Sequence, residues 1–535
     1  MTGSTPTLAP EKKFSGTGAY TEPTLFDPDP PAGDDRYWPW AVPTQPAPTG
    51  TRSGPVGDPT VMARTTTPDY HEWLHHVRAA SGCRHPIRLD GDIHVNNKAG
   101  QRIATYSTGD MPDGVIYTPC GNRRAKVCPS CAETYRRDTY HLVKAGLEGG
   151  RWGIPPLHDH IALFVTATAP SFGPVHHRVV KVHAADCRRK DGCTCRPQVC
   201  RPFGRTCPHG RPMTCRQRHK AGDSVLGQPL CLDCYDHAGQ VVWHHEAPEL
   251  WRRTLQEVNR EIQRLGRRFG VELRRRYFKV YEFQTRAAIH YHVLIRLDGY
   301  NPDCPEAIAK PPACITRPML EAAVRAAFGK TSFTSPPHPA NGNRGWRIAW
   351  GDPGHGLDVQ HVNAPGGPLN LAQVTGYIGK YVTKGTEDTG LDVRRVDDLI
   401  LAQLDPDTHV GRLVRACWDL GAEAGWQRLR RYAHQYGYGG HITSKSRGFS
   451  VTLGFKRRER MIWQRTQGHP HLWDDEQADL VIYELGYHAT GWITTGDALL
   501  ANTSADLARS WRDNAHYSHP DETGTSTATA HPAAA

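Results

Sequence analysis

The chain has 535 residues, with 65 Lys and Arg against 54 Asp and Glu and a formal net charge of +11 at pH 7. At about 150 residues per domain, this length predicts three or four domains. No apolar run approaches the roughly 18 residues that cross a bilayer, so we expect no membrane partner. No basic stretch followed by an apolar run opens the chain, so we expect no secretory signal and a cytoplasmic location.

The positive charge is concentrated in two segments. Residues 251–280 carry a net charge of +7, and residues 183–220 carry a net charge of +8. A concentrated basic field suits a phosphate backbone, so we expect a nucleic-acid partner. A generically basic soluble protein is the alternative.

Composition and pattern divide the chain into segments. Residues 1–60 contain 12 Pro and 7 Gly, which is typical of disordered chain. We predict an α+β fold with a central antiparallel sheet flanked by helices. The predicted segments are a disordered tail at 1–68, a cysteine-bearing zinc module at 69–150, a main domain at 155–390 with a zinc-binding insertion at 183–237, a mainly helical C-terminal region at 391–510 and a disordered tail at 511–535.

Periodicity predicts five elements around the main domain. A continuous apolar run indicates a buried strand, whereas apolar residues at steps of three and four indicate a helix. A predicted helix that begins at an Asn and ends at a Gly has the usual capping residues. The predicted elements are a strand at His160–Thr168, a helix at Pro248–Leu265, a hairpin of Tyr277–Phe283 and Ile289–Leu297 that turns near Arg286, and a helix at Asn370–Lys384.

The cysteines indicate structural zinc sites. Twelve of the 15 cysteines lie in two groups, and Cys128–Cys131 and Cys231–Cys234 have the C-x-x-C spacing of tetrahedral zinc ligands. Scattered reduced thiols are the alternative. The predicted zinc sets are Cys83, Cys120, Cys128 and Cys131, then Cys207, Cys215, Cys231 and Cys234 with His209 and His219 as substitutes, and a further candidate set of Cys187, Cys193, Cys195 and Cys200.

The predicted hairpin carries a second kind of metal site. His290 and His292 are two residues apart on one strand, so their side chains share a face. If the turn is centred on residue 286, Glu282 lies directly opposite His290 on that same face. A carboxylate and two imidazoles then converge on one divalent cation, although two solvated histidines on an exposed strand are the simpler alternative.

The helix at Asn370–Lys384 offers nucleophiles. Tyr377, Lys380, Tyr381 and Lys384 occupy positions i, i+3, i+4 and i+7, beside the apolar face. A phenol has an unperturbed pKa of about 10, so it needs a metal ion or a cation nearby to attack a phosphate. An amphipathic helix with boundary tyrosines, or one catalytic and one packing tyrosine, are the alternatives.

Together these residues resemble a known family. Phe164–Thr168, His290–His292 and Tyr377–Lys384 follow the order of the three motifs of HUH endonucleases in their two-tyrosine form. The chain is more similar still to RepSA-type replication initiators of actinomycete plasmids and integrative elements. That resemblance extends over Cys120–Tyr135, Thr168–Gly173, Cys207–Arg211, Gly227–Cys231, His290–Gly299, Tyr377–Lys384 and Gly440–Arg447.

The resemblance implies a function in rolling-circle replication. Such a protein has an HUH-type sheet in the main domain and nicks one strand at a plasmid origin. It stays attached through a 5′-phosphotyrosine, leaves a 3′-hydroxyl and later rejoins the strand. The resemblance also implies catalytic Mg or Mn, contact with double-stranded and single-stranded origin DNA, and a host polymerase. No G-x-x-x-x-G-K-[ST] motif occurs, so a host helicase is expected as well.

Two other functions remain open from the sequence. A two-tyrosine HUH transposase would share the catalytic residues and a zinc module. A non-catalytic zinc-finger DNA-binding regulator would share the cysteines and the basic segments, but it leaves Glu282, the two histidines and both tyrosines without a role.

Overall fold

A computed structural model describes residues 58–97, 99–181, 195–352, 354, 356–363, 369–391, 395–468 and 480–518. Cys187, Cys193 and most of both predicted tails lie outside these residues. The described residues form eleven α-helices and eleven β-strands. The helices are α1 Pro59–Thr65, α2 Tyr70–His76, α3 Pro129–Glu148, α4 His237–Phe269, α5 Arg317–Lys330, α6 Leu371–Tyr381, α7 Asp398–Gln403, α8 His409–Leu420, α9 Arg428–Arg431, α10 Leu453–Gly468 and α11 Thr495–Ser518. The strands are β1 Ile87–Asn96, β2 Arg102–Ser107, β3 Ile116–Thr118, β4 Ile161–Thr168, β5 Leu273–Phe283, β6 Ile289–Gly299, β7 Ser332–Thr334, β8 Arg347–Ala349, β9 Leu357–His361, β10 Thr443–Lys445 and β11 Leu480–Thr490.

A five-stranded antiparallel sheet forms the centre of the molecule, in the order β10-β5-β6-β4-β9. Side chains alternate between its faces, and both faces are covered by helices. Leu163, Val165 and Tyr291 lie on one face in a core with residues of α4, α5 and α8. Phe164 and Leu294 lie on the other face in a core with residues of α3 and α6. The prediction of a mixed fold with an antiparallel sheet between helices is therefore confirmed.

The long helix α4 begins earlier than predicted. Its N-cap is Asp236, whose side chain accepts from the Gly239 N–H, and its C-cap is Gly270 in the left-handed region with φ 64°. The prediction covered only Pro248–Leu265, because it followed the apolar stripe within that stretch. Burial of the apolar residues of the preceding turns, among them Val242 and Trp243, extends the helix through Pro248.

A second sheet joins the two ends of the described chain. It has the order β11-β1-β2, and β3 also pairs with β1. Helix α1 packs on α11, and Arg64 of α1 forms ion pairs with Asp113 and Asp497. The predicted N-terminal tail is therefore wrong for residues 58–68, because tertiary contacts order α1.

The C-terminal region consists mostly of the helices α7 to α11, and its two strands belong to sheets formed with earlier parts of the chain. Its strand β10 pairs with β5 in the central sheet, and its strand β11 pairs with β1 in the second sheet. These pairings connect residues far apart in sequence, which local periodicity does not reveal. No helix in the described ranges is both long and apolar enough to cross a bilayer.

Candidate active site and metal centres

The β5–β6 hairpin brings three metal-ligand side chains together. Glu282 is the register partner of His290, as the turn centred on residue 286 predicted. One ligand atom each from Glu282, His290 and His292 lies within 4.8 Å of the others. His292 Nε2 is 3.2 Å from Glu282 Oε1. The predicted placement of the three side chains on one face is confirmed, and a carboxylate with two imidazoles suits a divalent cation.

Strand β4 orients the two imidazoles. Thr166 and Thr168 are the register partners of His292 and His290, so both hydroxyls share the histidine face. Thr166 Oγ1 is 3.1 Å from His292 Nδ1, and Thr168 Oγ1 is 2.6 Å from His290 Nε2. Hydrogen bonds of this kind set ring orientation in metal sites. The two threonines were not among the predicted site residues, although their alternation in the first motif is a usable signal.

Burial favours the neutral form of His290, which is the form that binds metals. Desolvation, with smaller contributions from His292 and Arg286, lowers the pKa of His290 to about 3. An imidazole that stays unprotonated at neutral pH keeps a lone pair available for a cation.

Helix α6 places two phenols against this cluster. A capping box between Asn370 and Gln373 begins the helix, and its apolar residues pack onto the histidine face of the sheet. The ring centroids of Tyr377 and Tyr381 are 5.0 and 5.3 Å from that of His292, and 4.5 Å from each other. Both phenols are therefore close to one candidate metal position.

Both negatively and positively charged side chains surround the two tyrosines. Burial, together with the negative charges of Glu282 and Asp358, raises the pKa of Tyr377. A bound cation would oppose this effect. Lys384 Nζ lies 5.1 Å from the centre of the Tyr381 ring, and Lys380 is exposed on α6.

The helix is shorter than predicted, which changes the position of Lys384. The prediction extended the helix to this residue, whereas α6 ends at Tyr381. Lys384 lies in the following turn, where its N–H donates to the Tyr381 carbonyl at 3.2 Å.

The four-cysteine set near the N-terminus comes together as predicted. Cys83, Cys120, Cys128 and Cys131 form one group, and three of the four are buried. Their Sγ atoms are separated by 3.7 to 3.8 Å where they make contact. Four thiolates at about 2.3 Å from a tetrahedral zinc ion would lie about 3.8 Å apart, so the group fits zinc and is too open for disulfides.

The four-cysteine group is linked to α6, the helix that carries both tyrosines. Arg123, between Cys120 and Cys128, donates through Nη1 to the carbonyls of Val382 and Lys384 at 3.2 and 2.5 Å. The Ala125 N–H donates to the Thr383 carbonyl at 3.2 Å. Helix α3, which begins directly after Cys128, packs along α6.

Two further donor groups lie in and beside the insertion; the first is the predicted set with its substitute His209 in place of Cys215, and the second was not predicted. One consists of Cys207, His209, Cys231 and Cys234, and the other consists of His176, Cys200, Cys215 and His219. His209 occupies the place that was predicted for Cys215, and its Nδ1 is 3.2 Å from Cys234 Sγ.

The assignment of Cys215 to the Cys207 set was wrong because of the path of the backbone. The chain reverses between Arg201 and Cys215, so Cys215 returns beside Cys200 while Cys207 lies near the far end. The predicted set of Cys187, Cys193, Cys195 and Cys200 is also not formed as proposed. Cys200 joins the histidines, Cys195 lies outside every donor group of the described residues, and Cys187 and Cys193 are not described.

Comparisons with known proteins find one family model and one curated relative that each match most of the chain. The family described as "RepSA: Replication initiator protein, pSAM2" matches residues 69–506, which include every donor group and both tyrosines. A curated protein named "Replication initiator protein" from Streptomyces ambofaciens is 38% identical over 483 residues, and the match covers 87% of this chain and 97% of that protein. No solved structure gives a significant match.

Proposed function

The chain belongs to the RepSA family of plasmid-type replication initiators, and we propose that it starts replication by cutting one strand of origin DNA with a tyrosine. The observation that carries this proposal is the contact of both phenol rings with His292, which itself lies beside Glu282. A nucleophile, a candidate metal position and the ammonium of Lys384 then lie together beside the β5–β6 hairpin.

Glu282, His290 and His292 would hold a Mg or Mn ion, which supplies Lewis-acid polarisation of a phosphate oxygen when it is bound. The protein's own part is to orient the ligands through Thr166 and Thr168. Burial keeps His290 neutral, and this retains its capacity to bind a cation.

The cleavage step is an attack by a phenol oxygen on the scissile phosphorus. The new bond joins Tyr377 or Tyr381 to the 5′ phosphate, while the bond from phosphorus to the 3′ oxygen breaks. The phenol proton leaves to solvent, and the departing 3′ oxygen takes up a proton to become a hydroxyl. The ammonium of Lys384, close to the Tyr381 ring, favours the developing phenolate.

Two tyrosines on one helix suit a protein that must cut twice. One phenol opens the origin and holds the 5′ end, and the other cuts the origin when it has been copied. The 3′-hydroxyl of the displaced strand then attacks the first phosphotyrosine and closes a circle. The ester keeps the energy of the phosphodiester bond, so rejoining requires no ATP. Strand separation and synthesis would fall to a host helicase and a host polymerase.

A test for covalent attachment decides the proposal. The purified protein is incubated with Mg²⁺ or Mn²⁺ and labelled single-stranded oligonucleotides tiled across the origin of its replicon, and denaturing electrophoresis detects an adduct. We expect Tyr377→Phe and Tyr381→Phe each to lose part of the cutting and circle closure, and the double variant to form no adduct. Tyr106→Phe, at an exposed strand position, is the matched control.

An adduct from the double variant would overturn the assignment of the nucleophiles. Full cleavage and full circle closure by either single variant would overturn the two-nucleophile mechanism. If no oligonucleotide forms an adduct with the unaltered protein, a non-catalytic DNA-binding regulator becomes the better description.

A further inference from the structure

The insertion contains a hairpin-like ribbon, residues 200–215, with a metal-donor group at each end. The backbone groups of Arg201 and Cys215 exchange two hydrogen bonds of 2.8 Å, and the Met213 N–H donates to the Arg205 carbonyl at 3.0 Å. Near the tip, the Cys207 N–H donates to the Arg211 carbonyl at 2.8 Å. The base of the ribbon carries Cys200 and Cys215, and the tip carries Cys207 and His209.

The segment around the ribbon has almost no apolar core of its own. Residues 195–236 contain no α-helix and no β-strand, and the buried side chains include the donors Cys200, His219 and Cys231. A segment with so little buried apolar surface needs another source of folding free energy, and bound zinc is a common one. Asp223 Oδ2 lies 2.8 Å from His219 Nδ1, which is the usual orienting contact of a metal-bound histidine.

The surface of the ribbon is strongly basic and bears one exposed aromatic ring. Phe203 is 89% exposed, on the stretch between the two donor groups. No Asp or Glu occurs from residue 195 to residue 222. The exposed basic side chains of this stretch are Arg196, Arg205, Arg211, Arg216, Arg218 and Lys220.

The insertion also lies against the hairpin that carries the candidate active site. At Gly227, which has φ +83°, an added Cβ would be 2.4 Å from the backbone carbonyl carbon of Thr285 in the β5–β6 turn. No side chain fits between the two segments, so the insertion packs directly on this turn. The base of the ribbon adjoins this turn, because the Gly227 N–H donates to the carbonyl of His176, which belongs to the donor group at that base.

We propose that the ribbon, folded by one zinc ion at each end, is a nucleic-acid-binding surface whose arginines contact phosphates and whose Phe203 stacks on bases. Arginine with an exposed aromatic ring is the combination that binds nucleic acid through its backbone and its base faces at once. The inference rests on the proposed function only in taking origin DNA as the partner.

The first test measures DNA affinity without cleavage. Fluorescence anisotropy, in buffer without Mg²⁺, follows binding of a labelled 25-nucleotide single strand and of the corresponding duplex. The loss of stacking on one base should make Phe203→Ala bind DNA about 5- to 150-fold more weakly than the unaltered protein, with an unchanged salt dependence. Loss on the single strand alone indicates stacking on unpaired bases, and loss on the duplex indicates insertion between base pairs.

Charge variants test the phosphate contacts. Arg205→Gln with Arg211→Gln should weaken binding and reduce the slope of log affinity against log salt by ~1.4 to ~1.8 for two lost contacts. The control is Arg78→Gln with Arg102→Gln, which removes the same charge from exposed positions elsewhere. If the ribbon variants and the control bind alike, the ribbon is not the DNA contact.

Metal analysis tests the fold of the ribbon. The three cysteine-containing donor groups among the described residues predict that these groups together bind three zinc ions. Cys200→Ala should lower this content by one and weaken DNA binding at least as much as Phe203→Ala does. An unchanged zinc content would overturn the site at the base of the ribbon. Because binding is measured without cleavage, loss of affinity in the ribbon variants would uphold this inference even if the tyrosines prove not to cut.

Discussion

Replacing Arg123 should slow DNA cleavage much more than it weakens DNA binding. This side chain joins the loop of the four-cysteine group to the carbonyls that follow α6. Val382 and Lys384 directly follow the last turn of α6, so an arginine that binds both of their carbonyls holds that end of the helix in place. Tyr381 is the final residue of α6, and its position therefore depends on Arg123.

The hydrogen bonds of Arg123 set the expected loss of cleavage rate. Hydrogen bonds that involve a charged group contribute about 1.5–3 kcal/mol, so Arg123→Ala should loosen the end of α6 by about that amount. A displacement of about 1 Å in a reacting group lowers the rate roughly 100-fold. We expect a cleavage rate constant at saturating DNA that is about 10- to 100-fold lower. Arg123→Lys keeps the positive charge but loses the guanidinium group that binds both carbonyls. Its cleavage rate should lie between those of Arg123→Ala and the unaltered protein.

The assay separates an effect on the position of Tyr381 from an effect on DNA affinity. Single-turnover adduct formation is measured at saturating oligonucleotide, and affinity is measured without Mg²⁺. Arg84→Ala is the control, because Arg84 donates to the Lys126 carbonyl in the same loop at 3.2 Å and is exposed. Cleavage by Arg123→Ala at the unaltered rate would refute the reasoning, and so would an equally slow Arg84→Ala. A loss of affinity alone would make Arg123 a DNA contact.

Three further predictions concern the sheet and its surroundings. His292→Ala should abolish the adduct while duplex affinity in anisotropy stays unchanged, because the cation acts on the scissile phosphate. Asp298→Asn should lower the free energy of unfolding in urea by about 3–5 kcal/mol, since the buried Arg296 guanidinium loses its counter-ion. Burial lowers the pKa of His244 to about 3 against 6.5 in the unfolded chain, so its stabilising effect is complete above pH 6.5 and is lost as the pH falls. The free energy of unfolding in urea should therefore fall between pH 7.5 and pH 5.5 by ~1.4 kcal/mol less in His244→Asn than in the unaltered protein.

Local spacing along the chain determined much of the candidate site. A short turn between two strands leaves few registers, so the opposition of Glu282 and His290 followed from the position of residue 286. Because side chains alternate between the two faces along β6, His290 and His292 were also assigned to one face. The Cys128–Cys131 spacing likewise identified a ligand pair, because two residues so close in sequence can hardly separate in space.

Only the tertiary structure decided which distant segments meet. Cys215 joins Cys200 and His176, and not Cys207, because the direction of the ribbon's backbone decides its neighbours. Strand β11 pairs with β1 across nearly four hundred residues, and no periodicity within either strand encodes that partner. The contact of the tyrosines with His292 also depends on how α6 docks on the sheet. A pattern of a few residues determines on which face of a strand or helix a side chain lies. The pairing of segments far apart in sequence depends on the packing of the whole chain.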